Sequence, residues 1–226
     1  MKYVRTVWLH LSKDLRLEWR SRDAIIAMLS FTLLIAVVFA LAFDPTGQPT
    51  TARAVSGGLL WMGLLFAATT ALNGSWDRER RNQVLDAQRM TPAAPSALFL
   101  GKAIANFLFV AAVEVILGPV FFLFFNLHVL GDAKWLAAIL PLGTWALVVN
   151  GTFLAVLSLR TRNRAMMLPM VLFPVAIPAL LAMVQATTAV LTGEFEPQLW
   201  IRVLFGYDVI FTTISILLFE AVLNAE

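Results

Sequence analysis

"AIIAMLSFTLLIAVVFALAF", residues 24–43, runs twenty residues without a charge. A helix rises about 1.5 Å per residue, so roughly 20 apolar residues are what it takes to cross about 30 Å of hydrocarbon. Working outward from this stretch, five others reach the same length, near 55–74, 98–125, 135–159, 165–190 and 203–223. The chain therefore reads as an all-α membrane protein, one transmembrane domain over residues 1–226 with six transmembrane helices. Composition agrees. Of the 226 residues 60% are hydrophobic and 14% charged, where soluble domains run at about half and a quarter.

The charges that remain are unevenly placed. Lys2, Arg5, Lys13, Arg16, Arg20 and Arg22 precede the first span, and Arg78, Arg80, Arg81, Arg89 and Lys102 fall between the second and third. Arg160, Arg162 and Arg164 follow the fourth, which puts fourteen of the 17 basic residues on one side. Arg53, Lys134 and Arg202 lie on the other, beside Asp44, Asp132, Glu194 and Glu196. The positive-inside rule assigns the basic side, with both termini, to the cytoplasm. A net charge of only +3, spread among apolar spans, serves orientation rather than nucleic-acid binding.

The arm before the first span has a pattern of its own. Val4, Trp8, Leu11, Leu15 and Trp19 recur at three- and four-residue spacing, while Arg5, Ser12, Arg16 and Arg20 fall elsewhere on the wheel. This spacing predicts an amphipathic helix lying in the headgroup layer. No apolar run followed by a small-residue cleavage site interrupts the arm, so no cleaved signal peptide is expected.

Catalytic signatures are missing. The chain has no cysteine, which removes disulfides, thiolate chemistry and cysteine-held metals. Gly101-Lys102 lacks the upstream glycine and following hydroxyl of a phosphate-binding loop, so the chain is not expected to hydrolyse ATP. Neither HExxH nor GxSxG occurs, and His10 and His128, the only histidines, fall at opposite membrane faces. A non-enzymatic membrane protein without a bound metal is the expectation.

Several polar residues interrupt the spans. Glu114 lies near the middle of the third, where a carboxylate is costly and calls for a partner or a proton. Asn150 in the fourth span and Gln185 in the fifth are the candidates by depth. An interhelical hydrogen bond and a gating or pathway role are both open for Glu114 and Asn150. His128 follows "FFLFFNL" and reads either as an interfacial imidazole or as a haem ligand. Pro169, Pro174 and Pro178 each remove a backbone donor from the fifth span, which is expected to be bent or broken.

"WDRERRNQVLDAQRMTPAAPSALFLGK", residues 76–102, places seven charges in its first fifteen positions and then re-enters apolar sequence. Residues 76–90 read as a short helix with Val84 and Leu85 as apolar contacts among charges, ended by Pro92 and Pro95. Residues 76–106 resemble the first cytoplasmic segment of the haem exporter protein B (CcmB) family, the membrane subunit of an ABC-type complex in cytochrome c maturation. The resemblance is carried by an aromatic (Trp76, where phenylalanine is usual) and an acidic–basic cluster that includes Arg78 and Glu79. It continues through Leu85-Asp86, Pro92, and the Gly101, Lys102 and Asn106 entry. "RTRNRAMMLPMVLFPVAIPALL" at 160–181 resembles the family's arginine-rich loop and proline-studded fifth span, and "LFGYDVIFTTISILLFEAVLNAE" at 204–226 its last span.

That resemblance implies an ABC exporter permease-like fold in the bacterial inner membrane, working as a homodimer with two separate ATPase subunits. It implies further partners, namely haem-handling membrane subunits and a periplasmic haem chaperone. Haem would be substrate rather than a bound cofactor, and ATP would act through the partner. The residues that resemblance marks for ATPase coupling are Trp76, Arg78, Glu79, Val84, Leu85 and Asp86. Two other readings stay open here, a permease for a different hydrophobic or lipidic substrate and a non-transporting scaffold subunit.

Overall fold

The computed structural model describes residues 2–81, 94–158 and 164–224, and apart from short connections these are helical. Seven α-helices are found among the described residues: α1 (Lys2–Ser21), α2 (Asp23–Phe43), α3 (Pro49–Arg81), α4 (Pro95–Phe124), α5 (Leu136–Ser158), α6 (Arg164–Thr192) and α7 (Gln198–Asn224). A single 3-10 turn, Ala133–Trp135, leads into α5. Six segments among the described residues are long and apolar enough to cross a membrane: Ala24–Phe43, Pro49–Trp76, Pro95–Phe124, Ala133–Ser158, Met166–Thr192 and Gln198–Leu223. The protein is an all-α, multi-pass membrane protein.

The second span starts at Pro49 rather than near 55, because proline is well placed in a first helical turn, where its missing N–H is no loss. A further point concerns α6. Pro169, Pro174 and Pro178 all lie inside one uninterrupted helix, so of the two outcomes expected, bent or broken, the helix is not broken. Helices α3, α5 and α7 pack around it. The Tyr207 hydroxyl of α7 donates to the Val175 carbonyl at 2.9 Å, putting a polar partner among the proline turns. Neighbouring helices can hold a proline-bearing membrane helix together in this way.

The centre of the bundle is α3 and α5. Of their most apolar segments 61% and 67% are buried, against 17% to 33% for the other four spans. Two glycines allow the close approach. A Cβ on Gly143 would stand 2.3 Å from the Trp61 ring, and one on Gly151 would stand 2.3 Å from Leu72. Small residues at a crossing let membrane helices gain van der Waals contact where no hydrophobic driving force separates protein from lipid. Trp61, seated this way, donates its indole N–H to Thr187 Oγ1 of α6 at 2.9 Å.

Helix α1 stands apart from this bundle. Arg22 adopts a left-handed conformation (φ 58°) between α1 and α2 and breaks their continuity. α1 then packs against α4. Its apolar stripe is not the face turned to the bundle: of the five apolar positions only Leu11 is buried, while Val4, Trp8 and Trp19 are exposed. The bundle side carries Val7, His10, Leu11, Asp14 and Glu18 instead. Gly101 marks the closest contact, where a Cβ would meet the His10 Cβ at 2.7 Å and the Val7 carbonyl at 2.9 Å.

Candidate functional site

Where α1, the end of α3 and the start of α4 meet, six charged side chains form a knot. Lys102 of α4 is 1% exposed, and its ammonium reaches Glu79 Oε1 at 2.9 Å and Asp14 Oδ2 at 3.2 Å. Lys13 joins the same Glu79 oxygen at 2.5 Å and Asp14 at 3.2 Å. Arg78 pairs with Glu18, whose other oxygen accepts the Ala24 N–H at 3.2 Å at the start of α2. Four helices are thereby tied at one place by charge. A buried lysine or glutamate of this kind survives only when paired, since an isolated charge would lose several kcal/mol of hydration.

Burial alone would favour a neutral Glu79, but Lys102 and Lys13 outweigh it and hold the carboxyl below its ordinary range. Burial likewise opposes the charge on Lys13, and Glu79 and Asp14 overcome it, raising the pKa. His10, against Gly101, is pushed down first by burial and then by Lys13, and so is held neutral near pH 7.

The knot rests on Trp76. This residue is wholly buried, with the Lys102 ammonium 4.7 Å from its ring centroid. Its indole N–H donates to the Thr152 carbonyl of α5 at 3.0 Å. Asn106 of α4 donates to Thr152 Oγ1 at 3.0 Å, and Phe219 of α7 packs on both Trp76 and Phe99. A displacement of the α3 end is thus felt directly by α4, α5 and α7.

The sequence-derived coupling residues are therefore not one outward surface. Trp76 and Glu79 are buried and face inward, the indole bonded to the Thr152 carbonyl and Glu79 Oε1 to Lys102 and Lys13, so neither lies on the outer surface of this chain. Arg78 is partly exposed. Val84, Leu85 and Asp86 lie outside the described residues.

Inside the membrane the polar groups are sparser. Glu114 is buried and accepts a hydrogen bond from Thr144 Oγ1 at 2.7 Å, while its second oxygen has no partner. Neither Asn150 nor Gln185 is its partner, since the registry between α4 and α5 brings Thr144 opposite it. Asn150 instead donates to the Ala146 carbonyl at 2.7 Å and to the Tyr207 hydroxyl at 3.1 Å. Tyr207 in turn donates its hydroxyl to the Val175 carbonyl, so α5, α7 and α6 share one polar chain. Next to it stands Asp208, buried, with neither carboxylate oxygen hydrogen-bonded. His128 is exposed at the other end, its Nδ1 3.2 Å from the Asn126 carbonyl. A cavity of about 490 Å³ at that end is lined by Asp132, Trp135, Glu194, Phe195 and Glu196 among others, and not by His128.

Sequence reading missed Asp14, Glu18 and Asp208. A signal existed for each: Asp14 and Glu18 share a face at four-residue spacing, and Asp208 is the lone acid in the body of the last span.

Comparison with known proteins follows the same outline. A profile described as CcmB protein matches residues 5–225. Heme exporter protein B of Rhodobacter capsulatus is 31% identical over 172 residues, 76% of this chain and 77% of that protein. The Paracoccus denitrificans protein of the same name is 29% identical over the same shares. That of Pseudomonas aeruginosa is 27% identical over 183 residues, 81% of each.

Proposed function

The chain belongs to the CcmB family, and on that premise we propose that it is the membrane subunit of an ABC-type haem exporter of the bacterial inner membrane. ATP hydrolysis by a separate subunit on the cytoplasmic side drives either haem movement or release of a haem-loaded periplasmic chaperone during cytochrome c biogenesis. Relatives over three quarters of the chain bear the name heme exporter protein B, which supports the haem branch over another hydrophobic substrate.

The observation that carries coupling is the buried knot. Residues 82–93 join α3 to α4, and both ends of that connection are anchored by charge: Glu79 at one end, Lys102 near the other, bonded to each other. A push on the connection by a soluble ATPase cannot be absorbed by a loose α3 end. It passes through Trp76 to Thr152 and Phe219, hence to α5 and α7. In this reading Val84, Leu85 and Asp86 meet the ATPase, while Trp76, Arg78 and Glu79 transmit from inside. Apolar groups give most of the contact's affinity and the surrounding charges its orientation. The basic end then faces the cytoplasm, and the subunit works opposite a second membrane subunit, with a homodimer the arrangement the family resemblance suggests.

The test is Val84→Asp with Leu85→Asp. The pair of changes is expected to abolish recovery of the ATPase in detergent pull-downs while the membrane level of the chain stays normal. Undiminished recovery would place the contact elsewhere. Holo-cytochrome c yield in a strain lacking the chain, complemented with wild type, tests the haem branch separately.

A further inference from the structure

Helix α1 presents three parallel stripes with different fates. The first, Val7, His10, Asp14 and Glu18 with Leu11, is taken up by α3 and α4. Beside it run Val4, Trp8 and Trp19, which are 71%, 64% and 73% exposed, with Leu15 half-buried between them. Next on the wheel come Arg5, Arg16 and Arg20, all exposed, and none enters an ion pair among the described residues. Two tryptophans and a valine facing outward have no counterpart in the bundle to cover them.

Position decides what does. α1 crosses α4 at Gly101, near the start of the span that begins at Pro95, and Tyr3 reaches Ser96 at 3.3 Å. The helix therefore sits at the end of the apolar spans, where the hydrocarbon gives way to headgroups. Tryptophan is favoured at that depth, and an arginine row one step further round the helix points at the lipid phosphates. We propose that α1 docks on an anionic lipid leaflet, its Val4–Trp8–Trp19 stripe among the upper acyl chains and Arg5, Arg16 and Arg20 on acidic headgroups. The complementarity is of charge as well as polarity: each basic residue near an anionic surface strengthens attachment severalfold, and salt weakens it. The acidic residues of the helix do not oppose this, because Asp14 and Glu18 are neutralised inside the knot by Lys102, Lys13 and Arg78. The inference holds whether or not an ATPase binds the connection after α3.

Reconstitution tests it. The full chain is placed in nanodiscs of phosphatidylcholine alone or with a third phosphatidylglycerol, and hydrogen–deuterium exchange is followed in α1 and, as an internal control, in α5. Exchange in α1 is expected to be at least fivefold slower in the anionic discs, with α5 unchanged. Arg5→Gln, Arg16→Gln and Arg20→Gln together should shrink that difference to less than twofold without altering α5. Because the chain has no cysteine, a nitroxide attached through Val4→Cys reports depth independently, and it should become more accessible to oxygen in the anionic discs. Equal α1 exchange in the two lipids, or a full difference surviving the triple substitution, overturns the proposal.

Discussion

The two polar regions of this molecule solve the same problem in opposite ways. At the basic end each buried charge meets an opposite one: Lys102 has two carboxylates, Glu79 has two ammonium groups, and Glu18 has Arg78. Halfway along the spans, Glu114 has one hydroxyl donor and Asp208 has none. The first region holds charges by mutual neutralisation and fixes one arrangement of four helices. The second keeps acids with no counter-charge among the described residues, leaving Glu114 Oε1 and both Asp208 oxygens unpartnered, where the knot leaves only Glu79 Oε2 so. Paired charge is concentrated at one end and unpartnered acids in the middle, and ionisable residues inside a membrane are rare and mark functional sites.

Removing one member of the knot is the harshest way to break this contrast. Lys102→Met leaves Glu79 and Asp14 sharing only the partly exposed Lys13, and is expected to cost about 3 kcal/mol, the low end for breaking a buried pair because one cation remains. Thermal unfolding in detergent checks it. Combining Lys102→Met with Glu79→Met should restore part of the loss, since the under-paired buried carboxylate is then gone and Lys13 is left to Asp14. A double variant no better than the single would mean that packing of the lysine stem on Trp76 matters more than charge.

The intramembrane acids should respond in the reverse sense. Asp208→Leu removes no hydrogen bond and is expected to leave thermal stability unchanged or raised, while holo-cytochrome c yield falls at least tenfold. Asp208→Asn and Glu114→Gln, which keep shape but not titratable charge, should fail in the same assay while inserting normally. Wild-type yield from either amide variant would make that residue structural. A milder change, Tyr207→Phe, opens the chain from Asn150 to Val175. Interhelical hydrogen bonds in membranes are worth roughly 1 kcal/mol, so a small drop in melting temperature is expected, far less than for Lys102→Met.

The weakest expected effect is on pH. His10 is lowered from 6.5, so below that value the unfolded chain takes up a proton that the folded chain refuses, and stability declines as pH falls. Glu79 is lowered from 4.5, and its contribution is lost only as pH drops through its still lower folded value. Lys13, raised from 10.5, keeps its contribution until pH rises above that range. His10→Gln should flatten the first decline and leave the second, as melting curves across the acid range would show.

How much of this could be read beforehand differs by region. The six spans were legible because length and apolarity alone specify them. The amphipathic arm was legible as a helix, yet its partner face was not, because periodicity assigns Asp14 and Glu18 to water. They leave it only by meeting Lys102 and Arg78, more than fifty residues away in sequence. The same limit hid the partner of Glu114. Depth made Asn150 and Gln185 candidates, but the choice of Thr144 depends on registry between α4 and α5, which no single helix encodes. Asp208 was visible as an acid in an apolar stretch, and its isolation became apparent only once its neighbours were known.

The knot also orders how the protein is built. Asp14 and Glu18 are synthesised long before their partners Lys102 and Arg78. Lys102 can reach Asp14, and Arg78 can reach Glu18, only if the hairpin of α2 and α3 has already threaded and returned its charged end to the starting side. A chain in which only one of α2 and α3 crossed would hold this lysine across the bilayer from Asp14, and α1 would have nowhere to close. Joining of α1 to the ends of the second and third crossings through these six side chains is thus open only to a chain whose first two spans have both crossed.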